Sequence, residues 1–420
     1  MRKADSKNSY IGLVDCNNFF VSCERLFRPD LAHVPVLVLS SNDGCVISRS
    51  KEVKELGIPM GVPHFQIRDR IKSDGITIFS SNFTLYRDIS KRVMQTVRSV
   101  VPESEVYSID EAFFHVDKSD VDTVSQDIKQ KVEQWVGIPV SIGIGETKTI
   151  AKHMGAYAKT HAGIAIISDD TRVLLHESSL REVWGVGSKT YDKLERIGIK
   201  TVNDVLHAGA VHMRTNLGIL GEQLYFELAG ITTTTKKERT ERGSITSSAS
   251  FGKKIQGTHA IEDALSYHVA QVAEKVRQQG CIARDVSFSI RYDDADDATR
   301  LYTDHVSIEP GSASTADLTK AVLKAARPFF QSSFRYKKVG VVLSGLTTPE
   351  TVTGSLFADA GAIHSSDLLM QVFDAINTKH GRGSVRMATE QKTHAWKGRS
   401  AFVSDAYTTS WTTLPQVLLG

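Results

Sequence analysis

The chain has 420 residues, which at roughly 150 residues per domain suggests about two to four domains. With 41% hydrophobic and 24% charged residues it can bury real cores, which excludes a disordered or fibrous protein. The net charge of +3, from 51 basic and 48 acidic residues, is too small to argue for or against nucleic acid, so that case rests on local features.

In chain order, Ile11–Cys16 and Val34–Ser40 read as short apolar strands. Ile89, Val93, Val97 and Val101 recur every fourth residue and predict a helix over Asp88–Val101. Glu105–Ile109 and Ala112–Val116 read as two strands flanking the pair Asp110 and Glu111. Val121, Val124, Ile128, Val132 and Trp135 predict a second amphipathic helix; Pro139–Ile144 is strand-like and Lys148–Lys159 helical. From Thr171 to Gly230 short helices are punctuated by glycines, and the polar stretch 231–245 reads as a linker. A second unit follows. Helical spacing recurs at Ile261–Val276 and Leu318–Phe329, and strand alternation at Val286–Tyr292, with further strands at Val306–Ile308 and Val339–Leu343. That order is the β-α-β-β-α-β split unit, with helices on one sheet face and the other face free. A helix near Asp367–Ile376 and a Gly-, Thr- and Ser-rich tail complete the chain. The fold class expected is α+β, in several domains.

No apolar stretch approaches the ~18 residues of a membrane span. The basic start Met1–Lys7 is followed by an apolar run that meets Asp15 almost at once, so no usual secretory signal is expected. The cysteines Cys16, Cys23, Cys45 and Cys281 form no C-x-x-C pair, so neither a zinc site nor a disulfide framework is expected, and a reduced cytoplasmic setting fits.

Asp15 ends the first strand, and Asp110 and Glu111 sit between two others. Three carboxylates at strand ends on one sheet edge make an acidic pocket that cations must neutralise. Hard oxygen ligands favour magnesium, which shares its shell with substrate phosphates. The bland alternative is that Asp110-Glu111 marks a hairpin turn and Asp15 caps a helix.

Ile11-Gly-Leu-Val-Asp-Cys-Asn-Asn-Phe-Phe-Val-Ser-Cys-Glu24 and Tyr107-Ser-Ile-Asp-Glu-Ala112 resemble the two catalytic motifs of the Y-family DNA polymerases. Asp43-Gly-Cys-Val-Ile-Ser-Arg49, Gly143-Ile-Gly-Glu-Thr-Lys-Thr-Ile-Ala-Lys152 and Trp184-Gly-Val-Gly-Ser188 agree in order and spacing. Cys23–Leu31 and Asn42–Ile47 are similar to the UmuC branch, the error-prone polymerases of SOS mutagenesis, as is the late Tyr407-Thr-Thr409. The resemblance implies a right-handed polymerase with palm at 9–170, small fingers inserted at about 31–80, a thumb with a helix-hairpin-helix at 171–230, the linker at 231–245, a little finger at 246–346 and a C-terminal extension at 347–420. It implies template-directed transfer of deoxynucleotides to a primer 3′-hydroxyl, without a proofreading exonuclease.

On the same resemblance, Asp15, Asp110 and Glu111, with the backbone carbonyl of Cys16, hold two magnesium ions. Phe20 occupies the steric-gate position, where a flat ring excludes a ribose 2′-hydroxyl; of the consecutive Phe19 and Phe20, one is expected in the core. Arg49, Lys54 and Lys159 are the triphosphate ligands by position, with Lys148 and Lys152 on the same helix as Lys159. Here Lys51 stands where many relatives carry tyrosine, and Lys54 where they carry arginine; solvated helix surface is the bland reading of both.

DNA contacts are expected at Gly185, Gly187, Ser188 and Lys189, where glycines let backbone N–H groups at a helix start approach phosphate. Ser287, Ser289 and Arg291, together with Ser247, Ser250, Arg284, Arg335, Lys337 and Lys338, suggest a duplex-binding face on the second unit, with the acidic run Asp293–Asp297 turned away. Leu356 and Phe357 stand where relatives carry a sliding-clamp motif, without its Gln. Primer-template DNA, a processed UmuD-type accessory dimer, RecA and the sliding clamp are the partners implied, the extension being expected to dock on them. A nucleotidyl cyclase and a non-catalytic DNA-binding scaffold are the rivals. The first needs no helix-hairpin-helix, and the second needs no Asp15, Asp110 and Glu111.

Overall fold

The computed structural model describes residues 8–233, 243–349 and 360–411. The chain divides into two compact units, Met1–Glu238 with Ala401–Gly420, and Arg239–Ser400.

The first unit begins with β1 (Ser9–Cys16), α1 (Phe19–Phe27), β2 (Val36–Leu39), β3 (Val46–Arg49), α2 (Lys51–Glu55), α3 (Arg68–Ser73), β4 (Thr77–Ser80) and α4 (Phe83–Val100). It continues through β5 (Glu105–Val106), β6 (Glu111–Asp117), α5 (Val121–Trp135), β7 (Val140–Gly145), α6 (Lys148–Ala158) and β8 (Ile164–Ile166). Four helices follow: α7 (Asp169–Glu177), α8 (Ser188–Arg196), α9 (Val202–Leu217) and α10 (Ile219–Leu228). A five-stranded sheet in the order β5-β6-β1-β7-β8 carries the unit, and a small sheet β3-β2-β4 stands beside it. Ile11, Leu13 and Val14 are all buried, because both faces of central β1 are covered. Leu13 packs with Phe113 and Ala151 of α6, whereas Val14 joins Ile89, Val93 and Val97 of α4 and Ile128 and Val132 of α5. The fourfold spacing read from the sequence is therefore the buried stripe of α4, whose first turn is closed by Asn82 Oδ1 accepting from Leu85 N. Trp135 leaves the stripe of α5 and lies exposed, with Lys131 over its ring.

Gly143 decides how closely α6 lies on β7. A Cβ there would fall 2.0 Å from the backbone nitrogen of Gly155 and 2.2 Å from the Ala151 carbonyl, so strand and helix meet at backbone distance.

The second unit holds β9 (Ser244–Ile255), α11 (Thr258–Gln278), β10 (Ile282–Asp293), β11 (Thr299–Ser312), α12 (Thr315–Ala326), β12 (Arg335–Thr347) and α13 (Ala360–His380). Its antiparallel sheet runs β11-β10-β12-β9, and α11 and α12 pack on one face. Alternation along β10 sends Val286, Phe288 and Ile290 into the core, leaving Ser287, Ser289 and Arg291 on the other side.

Two expectations change here. The strand expected at Glu105–Ile109 is only Glu105–Val106; Tyr107 and Ser108 donate their backbone N–H groups to the Glu111 carbonyl, and Asp110 lies in that turn. The tail 347–420, read as a single partner-binding extension, is divided between the two units. Arg277 on α11 forks onto Asp374 of α13 at 2.7 Å through both Nε and Nη2. Buried Asp263 accepts from Gln391 N, the His394 ring and Trp396 Nε1, and Trp396 completes the core beside Phe251. Residues 401–410 then join the first unit. Ala401 N donates to Asp43, Phe402 and Ser80 exchange two hydrogen bonds, and Tyr407 stacks on Phe27 at 4.6 Å. The tail lies along the surface of both units and is tied to each by a few rings and hydrogen bonds, with Met370 and Trp396 its buried residues among those described.

Candidate active site

Asp15, at the end of β1, is directly paired with Glu111, the first residue of β6, and Cys16 N donates to the Asp110 carbonyl at 3.0 Å. The sheet register thus brings Asp15 to the adjacent pair Asp110 and Glu111, 95 and 96 positions away along the chain, across α1 to α4 and the small β3-β2-β4 sheet. Burial pushes the Asp15 carboxyl up; Lys159 pulls it back down, and the charges of Glu111 and Asp110 raise it further. Asp110 accepts from the Ser108 hydroxyl.

Two lysines of one helical stretch neutralise this edge. Lys159 Nζ lies 2.7 Å from Asp15 Oδ2 and Lys152 Nζ 2.9 Å from Glu111 Oε1. They are seven residues apart, two turns of α6 and its C-terminal cap, and so share a face. Lys148 is set apart: it is buried, lies 2.7 Å from Glu105 Oε2 and sits over the Phe113 ring. Lys152 also lies over the rings of Tyr107 and Trp184.

Among the described residues no group of three or more His, Cys, Asp or Glu side chains is arranged to hold a metal ion, and Asp15 and Glu111 each pair with a lysine. The donor set nevertheless fits a hard divalent cation: three carboxylates on adjoining backbone positions and no thiolate. Burial pushes the Cys16 thiol well above its ordinary value, which favours its neutral form, and the backbone carbonyl of that residue is its oxygen donor.

Phe19 is buried in the core, while Phe20 is half-buried and stacks on Tyr86 of α4 at 4.6 Å and 18°. Lys54 Nζ donates to Asn18 Oδ1 at 2.6 Å, and Asn18 begins α1 in the left-handed region at φ 48°. Burial lowers the Lys54 ammonium, helped by the charges of Lys159 and Arg49, so the three cations expected at a triphosphate lie within each other's fields. Arg49 itself donates to the Ile58 carbonyl, and its Nε has no partner. Lys51 pairs loosely with Glu55 on open surface.

Gly185 takes φ 88°, and Gly187 precedes α8 with no side chain capping it, so the first N–H groups of α8 are left without a cap. Ser188 and Lys189 open that helix on the surface. The turn at Gly198 joins α8 to α9, whose start is closed by a reciprocal Thr201–Asp204 capping box.

In the second unit, Ser287 and Ser289 adjoin Thr303, His305 and Gly340 on the outer sheet face. A Cβ on Gly340 would lie 3.0 Å from Ser289 Oγ, so glycine keeps that face flat. Ser247 is a correction: its hydroxyl lies 2.8 Å from His268 Nδ1 of α11, on the helical side. Of the cations expected beside the face, Lys337 and Arg335 are paired with the acidic run, as are their neighbours Lys254 and Arg300. Lys337 and Lys254 hold buried Asp293 at 2.5 and 2.7 Å, Arg335 pairs with Asp297 and Arg300 with Asp294. Leu356 and Phe357 lie outside the described residues.

Reading by position did not include Lys152 among the site residues, although its spacing of seven from Lys159 puts both on one face. It also missed Tyr86 and Glu24. Tyr86 Oη donates to Glu24 Oε1 at 2.6 Å across 62 positions, which no local pattern signals.

Two models described as the impB/mucB/samB family and the impB/mucB/samB family C-terminal domain match residues 14–156 and 242–356. A third, described as a domain of unknown function, matches 367–417. The chain is 33% identical to protein UmuC of Salmonella typhimurium strain LT2, over 96% of this chain and 99% of that one. Protein ImpB of Salmonella typhimurium is 32% identical over 97% and 99%. A solved Y-family DNA polymerase chimera superposes with a TM-score of 0.65 over 81% of this chain and 99% of its own, at 20% identity.

Proposed function

Because the chain belongs to the impB/mucB/samB family, a UmuC-type branch of the Y-family DNA polymerases, we propose that it is an error-prone translesion DNA polymerase of SOS mutagenesis, working in the cytoplasm without a proofreading exonuclease. The observation that carries this reading is the Asp15–Glu111 strand pair with Asp110 beside it, faced by three converging cations. Two magnesium ions held by Asp15, Asp110, Glu111 and the Cys16 carbonyl would polarise the primer 3′-hydroxyl and neutralise the departing pyrophosphate.

The remaining work falls to the chain's own groups. Arg49, Lys54 and Lys159 bind the triphosphate of an incoming deoxynucleotide, and Phe20 excludes a 2′-hydroxyl by its ring. The open start of α8 at Gly185, Gly187, Ser188 and Lys189 takes backbone phosphate. The flat hydroxyl face with Ser287, Ser289 and Arg291 lies against the duplex backbone, which carries no sequence information and so suits any template. The fingers segment offers only the small β3-β2-β4 sheet with the short helices α2 and α3, so fidelity by induced closure is weak and distorted templates are tolerated. An accessory UmuD-type dimer, RecA and the sliding clamp are the partners this reading adds.

Magnesium-dependent primer extension across an abasic template position tests it. Template-dependent extension past the lesion is expected. Product formed without template would favour a nucleotidyl cyclase, and DNA binding without any extension a scaffold.

A further inference from the structure

Phe20 is held from behind. Its ring stacks on Tyr86 and meets the edge of Phe83 at 5.8 Å, so the plane of Phe20 is set by α4 and not by α1 alone. Tyr86 is in turn fixed through its hydroxyl, which donates to Glu24, one helical turn beyond Phe20 on α1. Glu24 is fully buried, yet among the described residues no cation pairs with it, and its Oε2 has no hydrogen-bond partner. Burial without a counter-charge pushes the Glu24 carboxyl up towards its neutral form, so its place is held by the hydroxyls that surround it.

The C-terminal strap supplies part of that surround. Ser404 stands beside the carboxyl, and with Tyr86 it opposes the upward push of burial on Glu24. Asn82, the cap of α4, donates to Ser404 Oγ at 3.1 Å, which ties the strap to the helix that carries Tyr86. Tyr407 stacks on Phe27, three residues beyond Glu24, at 4.6 Å and 7°. Phe402 and Ser80 anchor the strap on β4.

We propose that residues 401–410 position the sugar gate: Ser404 and Tyr407 close the Glu24 pocket, Glu24 fixes the Tyr86 hydroxyl, and Tyr86 sets the plane of Phe20. Glu24, Tyr86 and the strap are positioning residues, and the C-terminal segment is thereby a determinant of ribose discrimination. The inference rests on Phe20 being the gate.

The test compares ribonucleotide with deoxynucleotide incorporation by full-length variants on an undamaged template. Glu24→Ala and Tyr407→Ala should lower discrimination about tenfold, because a small misplacement of a contact surface costs selectivity on that scale. Deoxynucleotide kcat/KM should fall far less. Glu24→Gln, which still accepts from Tyr86 without needing a charge, should keep wild-type discrimination. Ser404→Ala gives a milder loss and decides the matter if Tyr407→Ala does not fold. Phe20→Ala is the reference and should lose discrimination most. Strap and Glu24 variants that discriminate like wild type while Phe20→Ala does not would overturn the proposal alone, as would equal losses with both nucleotides that Glu24→Gln fails to rescue. Unchanged discrimination in Phe20→Ala would instead sink the gate reading, and the proposal with it.

Discussion

The two units treat charge in opposite ways. In the first, carboxylates are crowded onto one sheet edge, and lysines from α6 converge on them, so like charges sit closer than folding alone would favour. In the second, the acidic run Asp293–Asp297 absorbs Lys254, Lys337, Arg335 and Arg300, and the open sheet face is left mostly with hydroxyls. Concentrated charge is what a reacting triphosphate needs. A duplex that must slide is better served by a surface whose cations are already paired, because each free cation adds to salt-dependent binding.

The comparison breaks most completely at Asp110. Asp110→Asn keeps shape but removes one charge from the crowded edge, and primer extension should fall at least ~10²-fold while DNA binding survives. Retained extension of more than a few per cent of wild type, measured on the same primer-template, would remove Asp110 from the mechanism.

Gly143→Ala attacks the same edge through packing. The added methyl has no room against Gly155 and Ala151 and should push α6, with Lys152, away from β7. The expected cost is about 3 kcal/mol or more in denaturant unfolding of the first unit. Unchanged stability would mean that the helix can shift without strain.

The second unit should differ from the first in its response to acid. Burial holds His268 neutral, down to about 4 from an ordinary value of 6.5, with His394 and Lys275 adding to the fall. Between those values the unfolded chain binds a proton that the folded unit refuses. Stability is therefore full above about pH 6.5 and is lost as pH falls towards 4, by about 3 kcal/mol at most. Unfolding followed by tryptophan fluorescence should show that slope, and His268→Gln should flatten it.

The smallest effect sharpens the contrast directly. Lys254 and Lys337 hold the Asp293 carboxyl far below its usual range, so Asp293→Asn should free both cations. DNA affinity at low salt should rise about threefold with a steeper salt dependence, whereas Arg291→Ala should lower the salt slope by about one. Identical salt slopes in all three proteins would place the duplex on another surface.

Much of this was legible in the sequence, and the limits are physical. β1 with Asp15 and the β-α-β-β-α-β order of the second unit follow from apolar runs and alternation, which report which side of an element is buried. Such patterns do not report what covers it. Trp396 and Asp263 meet across 133 positions, and Glu24 finds Tyr86 across 62, through contacts that leave no periodic trace. Ser247 was a different failure. It lies an odd number of residues from Ser250 on one strand, so parity alone separates the two onto opposite faces. The tail's Gly- and Ser-rich composition does report its surface position, but not that a few rings and hydroxyls tie it to both units.

The return of 401–410 to the first unit has a consequence in time. A chain made from its N-terminus delivers the carboxylates, the lysines and Phe20 first, then the whole second unit, and only at the end the strap. Until then the groove around Glu24, Phe27 and Ser80 lacks its cover, so a nascent or prematurely terminated chain carries Asp15, Asp110, Glu111 and Phe20 without the segment that packs behind them. Completion of synthesis is itself the last step in covering the groove behind Phe20.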